Sequence, residues 1–174
     1  PRPRRWHLMV ENRLRQSLKS PSLEEFRKSN PPKEDEIRKT KNLRELQKVI
    51  DDALNDSDNN IQLKQIQSCL KTIQAPETLK TTVNNRWLKE KLPPFSKFAP
   101  YAFYCWRVYT MFIMGISKGF IPTKSNSVID VEYLYYLPFC YVFTSRDKLH
   151  RVMAPLFLRD NQTFIDGDTL KADL

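Results

Sequence analysis

An α/β fold, a small and mostly parallel sheet flanked by many helices, is what three features of this 174-residue sequence predict. Phe139 to Thr144 is apolar or aromatic without alternation, as a strand buried on both faces is. Helical patterns bracket that strand, Asp130 to Leu137 before it and a helix from Lys148 after it. The first half of the chain carries amphipathic stripes at helical spacing, which supply the flanking helices.

Taken in order, Trp6, Met9, Val10, Leu14 and Leu18 share one helical face. Ser22 followed by Glu25 is a capping-box pattern that opens a short helix, closed by Asn30-Pro31-Pro32. Glu34 to Asn55 reads as a single helix with a narrow stripe of Ile37, Leu43, Leu46, Ile50 and Leu54. Asp56 to Asn60 breaks it, and a second helix runs from Ile61 to Ile73. Together these predict a helical hairpin over residues 33–75, set within one domain spanning residues 1–174. A helix from Glu77 to Leu92 is stopped by Pro93-Pro94.

Phe98 to Ile121 has the length of a membrane span. Pro100, Arg107 and Lys118 interrupt it, and its aromatics are spread throughout instead of gathered at the ends, so a buried core helix is expected and no membrane. Gly119 is its expected C-cap. Pro138 disfavours helical dihedrals at Leu137 and predicts the switch from the helix Asp130–Leu137 into the strand. Asp166-Gly167-Asp168 is expected as a turn near the C-terminus.

Charge and cysteine usage bound the function. The formal charge of +9 favours a polyanionic partner, nucleic acid or an anionic membrane surface, unless the lysines serve solubility alone. Cys69, Cys105 and Cys140 are an odd, widely spaced set, which fits reduced thiols in a cytoplasmic protein and no disulfide framework. With no CxxC pair and only two distant histidines, a structural zinc site is not expected. Three glycines, and no GxGxxG or Walker pattern, argue against a phosphate-cradling loop. No signal peptide is recognisable.

Chemistry concentrates in the last third. Asp130 precedes an apolar run and Asp147 follows the strand, and either can be a helix N-cap. Glu132, two positions from Asp130, points to a different helical face. As a pair, Asp130 and Asp147 would stand at one edge of the sheet. Carboxylates so placed hold hard cations such as Mg or Mn, which activate water against a phosphodiester. His150 lies one turn after Asp147, where it serves either as a general acid or as a histidine bonded to a backbone carbonyl. Arg146, Lys148 and Arg151 surround the acidic turn and suit a phosphate backbone, or simply a solvated helix face. Arg2, Arg4 and Arg5 beside Trp6 have the mixture of charge and ring used on single strands.

At Asp130 and at Thr144-Ser145-Arg146-Asp147 the sequence resembles the C-terminal half of PIN-like nucleases, in which a helix-borne acid leads to a T-x-D-like element. The stretch Phe98 to Leu174 also resembles a family of uncharacterised bacterial proteins with YLYYLPFC, F-x-S-x-D-x-LH, APLFLR and LKADL. The PIN-like resemblance implies a metal-dependent ribonuclease, or a degenerate relative, with catalytic Asp130, Asp147 and His150, metal ligands Asp130 and Asp147, and RNA as partner. PIN-like enzymes begin with a strand ending in aspartate. This chain opens on PRPRRW, so that strand is missing or expected upstream, and Glu11 and Glu45 are candidates for the second acid. The competing expectation is a non-catalytic, mostly helical module that binds nucleic acid or a protein, with both aspartates acting as caps.

Overall fold

The computed structural model describes residues 31–122 and 127–172. The expected helix Trp6–Leu18, the Ser22 capping box and the basic set Arg2, Arg4 and Arg5 lie outside them. The described residues fall into two compact units, 31–107 and 108–172. The fold is mostly helical with one two-stranded parallel sheet.

The first unit is helical. It contains α1 (Pro31–Lys39), α2 (Leu43–Leu54), α3 (Asn59–Thr72), α4 (Glu77–Lys89) and α5 (Phe95–Phe98). The single helix expected over Glu34–Asn55 is two helices. The cause is a capping box that the apolar stripe concealed. Asn42 Oδ1 accepts from Glu45 N–H at 3.0 Å, and Glu45 Oε2 accepts from Lys41 N–H at 2.7 Å. This reciprocal pair satisfies donors at the start of α2, while Thr40 closes α1 onto the Ile37 carbonyl. Asp58 caps α3 in the expected loop, accepting from Asn60 N–H at 2.7 Å.

Apolar side chains of α2 and α3 (Leu46, Ile50, Leu54, Ile66, Leu70) are buried, and two glutamines are buried among them. Gln62 Nε2 donates to the Leu54 and Asp56 carbonyls at 3.2 and 2.5 Å, and its Oε1 accepts from Phe95 N–H at 2.7 Å. One side chain thus ties the end of α2, the following loop and the start of α5. Gln65 Nε2 reaches the Ala53 carbonyl at 2.8 Å. These bonds offset the penalty of burying the Gln62 amide, whereas Gln65 Oε1 is buried without a hydrogen-bond partner among the described residues.

Helix α6 (Pro100–Ser117) is the apolar segment expected as a core helix, and the division between the units falls within it, after Arg107. Trp106, Val108, Met111, Phe112 and Met114 are buried. No helix among the described residues is long and apolar enough to cross a membrane. Arg107, at the boundary, makes a two-point ion pair with Asp51 of α2 at 2.5 and 2.6 Å. Three helices end in the same double hydrogen-bond motif, in which a left-handed residue follows the cap. After α6 that residue is the expected Gly119 (φ 72°). After α3 and α4 it is Gln74 (φ 53°) and Lys91 (φ 65°), and α4 stops at Lys89 instead of Leu92.

The second unit follows with α7 (Ser127–Tyr133), a 3₁₀ helix (Leu134–Phe139), β1 (Val142–Ser145), α8 (Lys148–Met153), a short 3₁₀ turn (Ala154–Leu156), β2 (Thr163–Asp166) and α9 (Gly167–Ala172). The strands pair in parallel, Val142 opposite Thr163 and Ser145 opposite Asp166. The expected interior strand Phe139–Thr144 is corrected in two respects. Phe139 closes a 3₁₀ helix that contains Pro138, and β1 has only one described neighbour, with exposed and half-buried residues alternating along it. The 3₁₀ helix has three residues per turn, so residues three apart share a face. One column, Leu134 and Leu137, is fully buried, and another faces outward. Double-faced burial plays no part.

Candidate functional site

The residues singled out in the last third gather at the carboxyl end of the two-stranded sheet. Asp147 follows β1 and is the N-cap of α8, its Oδ1 accepting from Leu149 N–H at 2.7 Å. Its own N–H donates to Ser145 Oγ at 3.1 Å. Asp130 lies in the first turn of α7, which opens at Ser127, so it is not the N-cap expected of a helix starting there. Glu132 sits two residues further along the same helix.

His150 joins these pieces. It is buried in α8, with Nε2 2.6 Å from the Asp130 carbonyl oxygen and Nδ1 2.7 Å from Ser145 Oγ. A carbonyl only accepts, so Nε2 carries a proton. In the neutral ring, Nδ1 then accepts from the Ser145 hydroxyl, whose oxygen in turn accepts from Asp147 N–H. The rings of Phe143 and Tyr133 pack edge-on against the imidazole, at centroid distances of 5.2 and 5.9 Å. The structure therefore connects Asp130 and Asp147 through a relay of serine and histidine. The relay touches their backbone atoms.

Sequence reasoning did not place two further acids at this edge. Asp166 ends β2 directly opposite Ser145, and Asp168 follows two residues later. The signal was available, since TFID is a short β-branched and aromatic run that ends on a carboxylate. Gly167 between them is required by close approach. A Cβ there would lie 2.5 Å from Arg146 Cγ and 3.3 Å from Arg146 N.

The same two acids take up the arginines expected to meet phosphate. Arg146 Nε is 2.6 Å from Asp168 Oδ1, and Arg151 pairs with Asp166 at 2.7 and 3.0 Å and also with Asp168. The hydrogen bonds from Arg151, and then from Arg146, hold the Asp168 carboxyl below the usual carboxylate range. Lys148, between them in sequence, is exposed.

Carboxylate oxygens would hold Mg or Mn, one or two carboxylates sufficing for Mg when waters and substrate phosphates complete its shell. Here Asp147 Oδ1 is committed to a cap, and Asp166 and Asp168 are committed to guanidinium groups. Among the described residues no three His, Cys, Asp or Glu side chains converge on one point.

Charge is distributed unevenly. From Val108 to Leu174, seven basic and seven acidic residues cancel, so the whole +9 lies before residue 108. In the helical unit the turn from α4 to α5 is a basic corner. Arg86 pairs with Glu90 at 2.7 Å and lies over the Phe98 ring at 4.8 Å. Lys89, Lys91 and Lys97 follow it in sequence, exposed and paired with no carboxylate among the described residues.

Taken together, fold and site define a mostly helical protein with a minimal parallel sheet whose carboxyl edge is closed by internal ion pairs. The chain matches no family model, no curated protein and no solved structure.

Proposed function

We propose that this chain is a non-catalytic, mostly helical module that binds nucleic acid through the basic surface of its helical unit. The observation that carries the reading is the separation of charge from the acidic edge. The residues that resemble a nuclease site lie in an electroneutral stretch with their arginines internally paired, whereas the positive excess lies upstream, +5 in residues 1–30 and +4 in residues 31–107, where Lys89, Lys91 and Lys97 are exposed. Unpaired lysines on a surface bind phosphate by releasing counterions, which makes affinity salt-dependent.

The test is binding of a single-stranded RNA oligonucleotide across a salt series. Each phosphate neutralised contributes about −0.7 to the logarithmic slope for single strands, so replacing Lys89, Lys91 and Lys97 together by glutamine should flatten the slope by about 2. Absence of binding at low salt, or a slope unchanged in the triple variant, sinks the reading.

A PIN-like ribonuclease is the second reading, favoured by the link that brings Asp130 and Asp147 to one histidine. Incubation with RNA and Mn²⁺ separates the two readings. Cleavage that disappears in Asp130→Asn and Asp147→Asn establishes catalysis, and intact RNA rejects it.

A further inference from the structure

The segment from Tyr133 to Ser145 contains no charged residue, and three of its rings, Tyr136, Phe139 and Tyr141, are 63%, 70% and 75% exposed. Tyr136 and Phe139 are three apart in the 3₁₀ helix Leu134–Phe139 and share its outward face, while Leu134 and Leu137 hold another face in the core. Tyr141 follows at the entry to β1. The backbone that carries these rings is fixed by the loop leading into β2. Gln162 Nε2 donates to the Leu137 and Cys140 carbonyls at 2.5 and 2.6 Å, and Arg159 donates to the Pro138 carbonyl at 2.5 Å. Thr163 N–H donates to the Tyr141 carbonyl at 2.9 Å. The backbone beneath the rings therefore has little freedom left to lose when a ligand settles on them.

Two cations accompany the rings. Arg159 is exposed and pairs with no carboxylate among the described residues. Its bond to a neutral carbonyl leaves the guanidinium charged, with further N–H donors in the fork. Lys148 is also exposed and has no carboxylate partner among the described residues. It stands in the first turn of α8, the helix whose His150 meets the Asp130 carbonyl and the Tyr133 ring at the start of the segment. The carboxylate nearest to Arg159 in sequence is Asp160, which is exposed as well.

We infer that Tyr136, Phe139 and Tyr141 form a stacking platform for the unpaired bases of a single-stranded nucleic acid, with Arg159 beside them to meet its phosphates. The choice of polymer rests on the nucleic-acid reading above, and the platform is a second surface, separate from the lysines of the helical unit. Rings and cations together favour this occupant. A single strand offers both a π-face at every base and a charge at every phosphate, and proteins that hold it combine the same two side-chain types. A protein partner needs a continuous patch of about 800 Å² on each side, whereas a base needs only one ring face. Two of the three rings carry hydroxyls, which are costly to bury among acyl chains and do not hinder stacking.

Titration of the full chain with an oligouridine, and with a fully paired RNA duplex of equal length, tests the inference. Cations meet phosphates in both polymers, but ring faces reach bases only in the unpaired strand. The double variant Tyr136→Ala, Tyr141→Ala should bind the single strand at least about fivefold more weakly, the low end for one stacked base. Its duplex binding, its single-strand salt slope and its circular dichroism spectrum should not change, because both residues lie outside the core. Tyr136→Phe with Tyr141→Phe keeps both rings and should bind as the wild type does. Arg159→Gln should flatten the single-strand slope by about 0.7, the share of one phosphate. A double variant that binds the single strand like the wild type overturns the inference, as does one that loses both polymers alike. Neither result touches the lysine surface, which fails on its own if the lysine triple variant keeps the wild-type slope. Binding of neither polymer by the wild type overturns both readings. Ring-dependent sedimentation with phosphatidylserine vesicles, or ring-dependent self-association, with single-strand affinity unaltered, overturns the platform in favour of a lipid surface or a second copy.

Discussion

His150 donates from Nε2 to the backbone carbonyl of Asp130 at 2.6 Å, and its other ring nitrogen is 2.7 Å from Ser145 Oγ. One buried imidazole therefore fastens α7 to the turn between β1 and α8. Such a residue contributes to folding through both ring nitrogens. A solvent-facing general acid would be dispensable to stability.

Replacing His150 by alanine should lower unfolding free energy by about 2–4 kcal/mol, from the cavity and from the two abandoned partners. Ser145→Ala should cost less, about 1–2 kcal/mol, because it removes a single hydroxyl from the relay. Urea denaturation of both variants gives the comparison. A His150→Ala protein as stable as wild type would show that the relay does not hold the unit together.

Asp147 is expected to act as a cap. Asp147→Ala should destabilise by about 1 kcal/mol, while Asp147→Asn and Asp147→Ser, which also cap well, should stay within a few tenths. The thermal midpoint of the wild type should not move with Mn²⁺, since only a ligand of the native state raises it. A midpoint that climbs with Mn²⁺ and falls back in Asp147→Asn would restore the metal-site reading.

The helix ends give a third expectation. Gln74 and Lys91 hold left-handed conformations that cost an L-residue about 1–2 kcal/mol. Gln74→Gly and Lys91→Gly should each stabilise by roughly 0.5–1 kcal/mol, the gain being reduced by the greater freedom of glycine when unfolded. Gly119→Ala should do the reverse. Thermal denaturation of the three single variants is sufficient to check all three signs.

Stability should fall at both extremes of pH for different reasons. Asp168 is held below its ordinary range by Arg151 and Arg146, so the native state favours its ionised form. That contribution is complete above the unfolded carboxylate value of about 3.9 and is lost as pH falls through the depressed one. Cys69 behaves oppositely. Burial, reinforced by nearby Cys105, pushes its thiol up to about 12. Its contribution is complete below the unfolded thiol value of about 8.5 and is lost as pH rises toward 12. Thermal midpoints of Asp168→Asn and Cys69→Ala across these two windows should be flatter than wild type. Wild-type Cys69 should also resist alkylation at pH near 8, because the thiolate is the nucleophile.

Local chemistry was legible in the sequence wherever a residue acts on its own backbone. The apolar stripes of α2 and α3, the buried face of α6 and the Gly119 cap all follow from periodicity and from side chains that satisfy nearby donors. The Asn42–Glu45 break was equally local and was written in the same code, although a continuous stripe concealed it. What the sequence could not supply was the partner of each side chain across a distance. Asp130 and Asp147 read alike as caps or ligands. Only tertiary contact decided that His150 would grip the Asp130 carbonyl, and that Asp166 and Asp168 would draw Arg146 and Arg151 into internal pairs. The aromatic run from Tyr133 was ambiguous for the same reason. An unbroken apolar segment fits a buried strand and a 3₁₀ helix with one face outward, and burial is a property of the fold around it. A side chain's type is fixed by the sequence, but the dielectric and the neighbours that give it a role are fixed only when the chain has folded.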